Sequence, residues 1–176
     1  NGMKRLLNLK TVLVALFIVC TLPMAWAQTQ SATDALSGMN EAPVHDAARM
    51  GTRQDVERLL KASAQNRDVR TPLGATPLHY AAMNGDSGAL KVLLAAGANP
   101  NARDADGRTP LHMAAFTTRK DNAMLLLQAG SDPMLKTNDG RDVLSMARKV
   151  RADEIAGEIS LWILKGCKPG KPVKGC

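Results

Sequence analysis

The tetrapeptide Thr76-Pro77-Leu78-His79 returns as Thr109-Pro110-Leu111-His112, 33 residues later, and each is followed one residue on by an alanine pair, Ala81-Ala82 and Ala114-Ala115. Counting back 34 residues from Thr76 reaches Ala42-Pro43-Val44-His45 with Ala47-Ala48. Counting forward 33 from Thr109 reaches a worn copy, Asp142-Val143-Leu144-Ser145 with Ala147. Seventeen residues into the first three copies stands a leucine pair, Leu59-Leu60, Leu93-Leu94 and Leu126-Leu127; in the fourth, Ile159 and Ser160 take those places. A fixed period of this length means that one supersecondary unit is stacked on itself. Each unit is too small to bury its own apolar face, so stability comes from neighbouring copies and the end copies must be polar outside. The first copy carries Arg49, Arg53, Gln54, Glu57, Arg58 and Lys61, and the fourth carries Arg148, Lys149, Arg151, Asp153 and Glu154.

Within the unit, proline at the first helical position forfeits no hydrogen bond and pre-sets the backbone, while the alanine pair lets a neighbouring helix approach closely. Thr52-x-x-Asp55 and Thr118-x-x-Asp121 have the form of capping boxes and predict a second helix. Gly97 and Gly130 stand where that helix should stop. Asp106-Gly107 and Asp139-Gly140 are turn dipeptides between copies. After the first helix, copies one and two have Gly51 and Gly85, whereas copies three and four have Thr118 and Arg151. A non-glycine residue there must accept a left-handed backbone or bend the turn, unless Thr118 serves as a cap.

The Thr-Pro-Leu-His-x-Ala-Ala, Leu-Leu and Gly-Ala-x-x-Asn elements of residues 76–101 resemble the ankyrin repeat, and the resemblance extends over residues 42–164. It implies an all-α ankyrin-repeat solenoid of about four helix-turn-helix repeats with short β-hairpin loops, divided 42–75, 76–108, 109–141 and 142–164. It also implies that His45, His79 and His112 are structural, with Thr76 and Thr109 as their partners beside backbone of the adjoining hairpin. The family's partners usually meet the hairpin tips and the exposed end of each first helix. Here that implies a row of Arg49, Met83, Phe116 and Lys149, with Asn84 and Thr117 beside it, and Asp106, Arg108, Asp139 and Arg141 at the hairpins. Met83 and Phe116 form a central apolar pair flanked by basic residues, the composition of an interface anchor with a charged rim.

Outside the repeats, Asn1 and Gly2 read as a tag remnant ahead of Met3. A basic stretch (Lys4, Arg5, Lys10), an apolar run of about 11 residues from Val12 to Leu22, and Ala25-Trp26-Ala27 follow in the order of a signal peptide. The run is shorter than the roughly 18 residues of a membrane span. Cleavage between Ala27 and Gln28 is expected, with no transmembrane span afterwards and the mature chain in the periplasm of a Gram-negative bacterium. Residues 28–41 read as a lead-in. Residues 165–176 form a basic tail in which Cys167 and Cys176, the two cysteines beyond the leader, would pair in an oxidising compartment.

The net charge of +7 comes from the two ends. Without residues 1–27 and the four tail lysines (Lys165, Lys168, Lys171, Lys174), the body balances at 16 basic and 16 acidic residues. A basic patch spread over the fold is not present, which argues against nucleic acid as partner. No catalytic site is expected. The three histidines hold equivalent positions on helices about 8–10 Å apart, too far to share a metal at about 2 Å from each nitrogen. No serine or cysteine recurs beside them with an orienting acid. Gly85-Asp86-Ser87-Gly88 lacks the lysine and preceding strand of a phosphate loop and reads as a helix-helix turn. Neither metal nor cofactor is expected.

What remains is a surface, and the expected function is a monomeric module that binds one periplasmic protein through its concave face. One version is an immunity or inhibitor protein for a toxic or lytic enzyme, whose acidic cleft would suit the basic rim. Another, from similarity to small exported bacterial ankyrin proteins, is an accessory role in peroxide defence alongside a periplasmic catalase. A third is an envelope scaffold that uses the tail lysines to touch anionic lipid or cell wall.

Overall fold

A computed structural model describes residues 41–167. The leader with its Ala27–Gln28 cleavage site, the lead-in up to residue 40, and Cys176 with the rest of residues 168–176 lie outside the described residues. Four helix pairs follow one another: α1 (Pro43–Met50) and α2 (Arg53–Ala62), α3 (Pro77–Met83) and α4 (Gly88–Ala95), α5 (Pro110–Phe116) and α6 (Lys120–Gln128), α7 (Val143–Lys149) and α8 (Asp153–Leu164). A 3-10 turn, Ala64–Arg67, follows α2. The chain is an all-α solenoid, and the fourth pair forms although its sequence is the most worn.

The first helices pack side by side in the order α1, α3, α5, α7, and the second helices form a layer behind them. The alanine pairs lie at that packing surface: Ala81, Ala82, Ala114 and Ala115 are fully buried. Between the layers, Leu78, Leu90, Leu93, Leu111, Leu126, Leu127 and Ile159 are buried in one continuous core. Leu59 and Leu60 are only half-buried because, among the described residues, the first copy has a neighbour on one side alone. Trp162 is buried in α8, where it closes the far end of the core.

The loops between copies project as tight turns. Thr71 N–H donates to the Ala75 carbonyl at 2.9 Å, Asp104 to Arg108 at 2.9 Å and Thr137 to Arg141 at 2.8 Å. These bonds close hairpins too short for a ladder, and no strand is assigned among the described residues. The turns are stacked by backbone bonds at the repeat spacing, Ala105 N–H to Leu73 carbonyl and Asn138 N–H to Asp106 carbonyl, both 2.9 Å.

Helix ends follow local sequence with two corrections. The capping box at Thr52 and Asp55 forms, and Gly97 and Gly130 end α4 and α6 with φ of +83° and +106°, the left-handed geometry of a C-terminal cap. The box expected at Thr118 and Asp121 does not form: α6 starts at Lys120 after an Arg119 cap, and Thr118 itself is left-handed, with φ of 57°. Arg151 has the same φ in copy four. In both copies two backbone bonds fold over the helix end: Arg119 N–H to Ala114 carbonyl (2.8 Å) with Thr118 to Ala115 (3.2 Å), and Ala152 to Ala147 (2.8 Å) with Arg151 to Arg148 (3.1 Å). Gly51 is not left-handed; its φ is −84°. Its lack of a side chain serves space, because a Cβ there would stand 2.6 Å from the Ala47 carbonyl oxygen.

Candidate protein-binding surface

The motif histidines are held inside the fold. His79 Nδ1 accepts from Thr76 N–H at 3.1 Å and lies 2.9 Å from Thr76 Oγ1. That leaves Nε2 as the protonated nitrogen, and it donates to the Arg108 carbonyl of the next hairpin at 3.1 Å. His112 repeats the Nδ1 contacts with Thr109, at 3.2 and 2.9 Å. Its Nε2 faces the Arg141 carbonyl without closing a hydrogen bond of normal geometry. His45 Nε2 donates to the Val69 carbonyl, 3.1 Å away. Its Nδ1 has no partner among the described residues; Ala42 stands where copies two and three have threonine. Burial pushes the titration of His79 and His112 below the ordinary histidine range, against the opposing pull of the nearby carbonyls. His79 and His112 are therefore neutral rings, and His79 holds the next hairpin to its helix. Among the described residues no cluster of histidine, cysteine or carboxylate side chains could hold a metal ion.

The row expected along the first helices divides into two unlike halves. At the N-terminal half, Arg49 is ion-paired with Glu41 and with Asp46 (3.2 Å), and its guanidinium lies 4.7 Å from the centre of the Tyr80 ring. Tyr80 donates its hydroxyl to the same Glu41 carboxylate at 2.7 Å. Burial, and then Glu41, raises the Tyr80 titration above the usual phenol range. Arg49 is thus committed to internal partners. Asn84 is also engaged internally, donating to the Ala48 carbonyl at 3.2 Å and accepting from Asp86 N–H at 3.0 Å. Thr117 donates its hydroxyl to the Met113 carbonyl at 2.7 Å.

At the C-terminal half the surface opens into a cleft of about 390 Å³, lined by Asp106, Arg108, Phe116, Thr137, Asn138, Asp139, Arg141, Met146 and Lys149. Six of the ten residues expected at the partner surface meet here. Phe116 is 47 % exposed, an unusual exposure for a ring in a chain with few aromatics. Met83 is half-buried and does not line this cleft; the apolar neighbour of Phe116 there is Met146. The expected basic rim is largely self-neutralised. Arg108 is held by Asp104 at 2.8 Å and Asp106 at 2.7 Å, and Arg141 by Asp139 at 3.1 Å. Lys149 is exposed and has no ion-pair partner among the described residues.

Several contributors to this surface carry no periodic signal. Glu41 precedes the first helix, and Met146 looks in sequence like an ordinary core residue of a worn repeat. Asn122 is the clearest case. Buried in α6, it donates to the carbonyls of Ala82 (3.1 Å) and Asn84 (2.9 Å) and accepts from Ser87 Oγ at 2.7 Å, so it locks copy three onto copy two. Nothing equivalent stands at Ala89 or Ile155 in the neighbouring copies.

A family model for ankyrin repeats, in three copies, matches residues 34–147. No curated protein matches the chain. The match covers well over half of the sequence and stops inside the fourth helix pair, which the fold completes through α8. With its 33-residue period, stacked helix pairs and buried Thr–His ties, the chain belongs to the ankyrin-repeat family.

Proposed function

We propose that this ankyrin-repeat chain is a non-enzymatic binding module that takes one partner protein on its concave face, at the cleft between copies three and four. The observation that carries the reading is the meeting of Phe116, Lys149 and the paired hairpin charges around one open cleft, while the other half of the row is closed by its own ion pairs. A half-exposed aromatic ring ringed by polar groups is the composition of an interface anchor. The basic, apolar and small-residue order of residues 3–27 supports a periplasmic location after cleavage between Ala27 and Gln28. Export would allow Cys167 and Cys176 to pair. Of the specific roles, inhibition of or immunity to an enzyme in that compartment suits a stoichiometric binder best.

The test is capture of partners from a periplasmic extract by the wild-type chain and by a Phe116→Ala, Met146→Ala double variant of matched helical content and melting. One protein retained by the wild type and lost by the variant is the expected result. Equal retention by both would remove the cleft from the account.

A further inference from the structure

We infer that the cleft selects an extended partner segment in which an apolar side chain is followed by a carboxylate, the apolar group seated on Phe116 and Met146 and the acid meeting Lys149. This deepens the binding reading above and rests on it. The chain itself supplies the precedent. Glu41 stands just ahead of α1, next to the extended backbone of Ala42, and its carboxylate is held in the same concave row by the Arg49 cation and the Tyr80 hydroxyl. Arg49 and Lys149 occupy one repeat position, as do Tyr80 and Met146. At the cleft a cation again stands with a ring, but the ring is Phe116, from the repeat position of Arg49 and Lys149 themselves, while Met146 takes the place of Tyr80.

Charge points the same way. The cleft is lined by three cations, Arg108, Arg141 and Lys149, and two carboxylates, Asp106 and Asp139. Each arginine is paired within its own hairpin, which leaves the Lys149 ammonium as the group that gains from an incoming acid. Next to it Phe116 and Met146 offer apolar surface that a lone ion would not use. An acidic segment with an aliphatic side chain matches both; a basic segment would meet Lys149 as a like charge, and such juxtapositions are what suppress wrong partners.

The probes are two acetylated, amidated peptides, Gly-Leu-Glu-Leu-Asp-Gly and Gly-Leu-Lys-Leu-Lys-Gly, titrated against the full chain with its methionine methyl groups labelled for NMR. The acidic peptide is expected to move the Met146 signal and leave Met50 unmoved, and to bind up to about fivefold more tightly than the basic one, the upper scale of a single rim ion pair. A Lys149→Glu variant, exposed and therefore able to fold, should reverse that preference. Equal binding of the two peptides at Met146, or a preference unchanged by Lys149→Glu, overturns the acid selection while leaving the cleft as a binding site. Binding that moves Met50 and not Met146, or no binding by either peptide at millimolar concentration, overturns the selection and counts against the cleft as well.

Discussion

The side-chain amide of Asn122 donates to the Asn84 carbonyl at 2.9 Å, across the boundary between the second and third copies. Asn122 is 2 % exposed, and the carbonyls of Ala81 and Ala82 share the same donor group. The last carbonyls of a helix have no partner within it, so one buried asparagine in α6 completes the end of α3. Removing a partner from buried polar groups costs more than the bond itself contributes, about 1–3 kcal/mol. Asn122→Ala should lower stability by that amount in urea unfolding. A loss below about 0.5 kcal/mol would mean that water replaces the amide without penalty.

The two left-handed residues are a second weak point. Thr118 and Arg151 both have φ of 57° and both are exposed, so the penalty for a Cβ in that region, roughly 1–2 kcal/mol, is not offset by side-chain burial. Thr118→Gly is expected to raise stability by about 1 kcal/mol, less the entropy that glycine adds to the unfolded chain. Gly51→Ala should act in the opposite direction, because its Cβ would meet the Ala47 carbonyl oxygen at 2.6 Å. Thermal melts of the two variants should therefore move apart, and a Thr118→Gly melt below wild type would refute the strain assignment.

The buried histidines set a pH dependence. Burial lowers the titration of His79 and His112 from the ordinary 6.5. Below that value the unfolded chain binds protons that the folded chain does not, so stability falls as pH decreases. The stability is fully present above the unfolded value and is lost on the acid side. The urea midpoint should be lower at about pH 5 than at about pH 7.5, and a His79→Gln, His112→Gln variant should show a flatter profile over that window. An unchanged midpoint in the wild type would show that both rings protonate in place.

Much of the fold was legible because an ankyrin solenoid writes its contacts at a fixed spacing: Pro77 and Pro110 start helices, Gly97 and Gly130 end them, and Thr76 with His79 repeats as Thr109 with His112. Asp142 shows the limit. It replaces threonine in the worn copy, yet its carboxylate accepts from Ser145 N–H at 2.7 Å and starts α7 all the same. The turn at Thr118 was legible only as two alternatives, because a threonine three residues before an acid suits a capping box and an αL turn alike; the backbone takes the αL turn. The candidate row was legible as a set of equivalent positions but not in its asymmetry. That asymmetry depends on Glu41, which lies before the first helix, and on ion pairs between residues that no period relates.

Partners are expected to meet the cleft around Phe116, and site-specific photocrosslinking reports that contact itself. A benzophenone side chain would be placed at Phe116 or, as a control, at Leu161, which is 46 % exposed on α8, and the living cells irradiated. One discrete adduct from position 116 and none from position 161 is the expected result. An adduct formed at 161 and absent at 116 would contradict it.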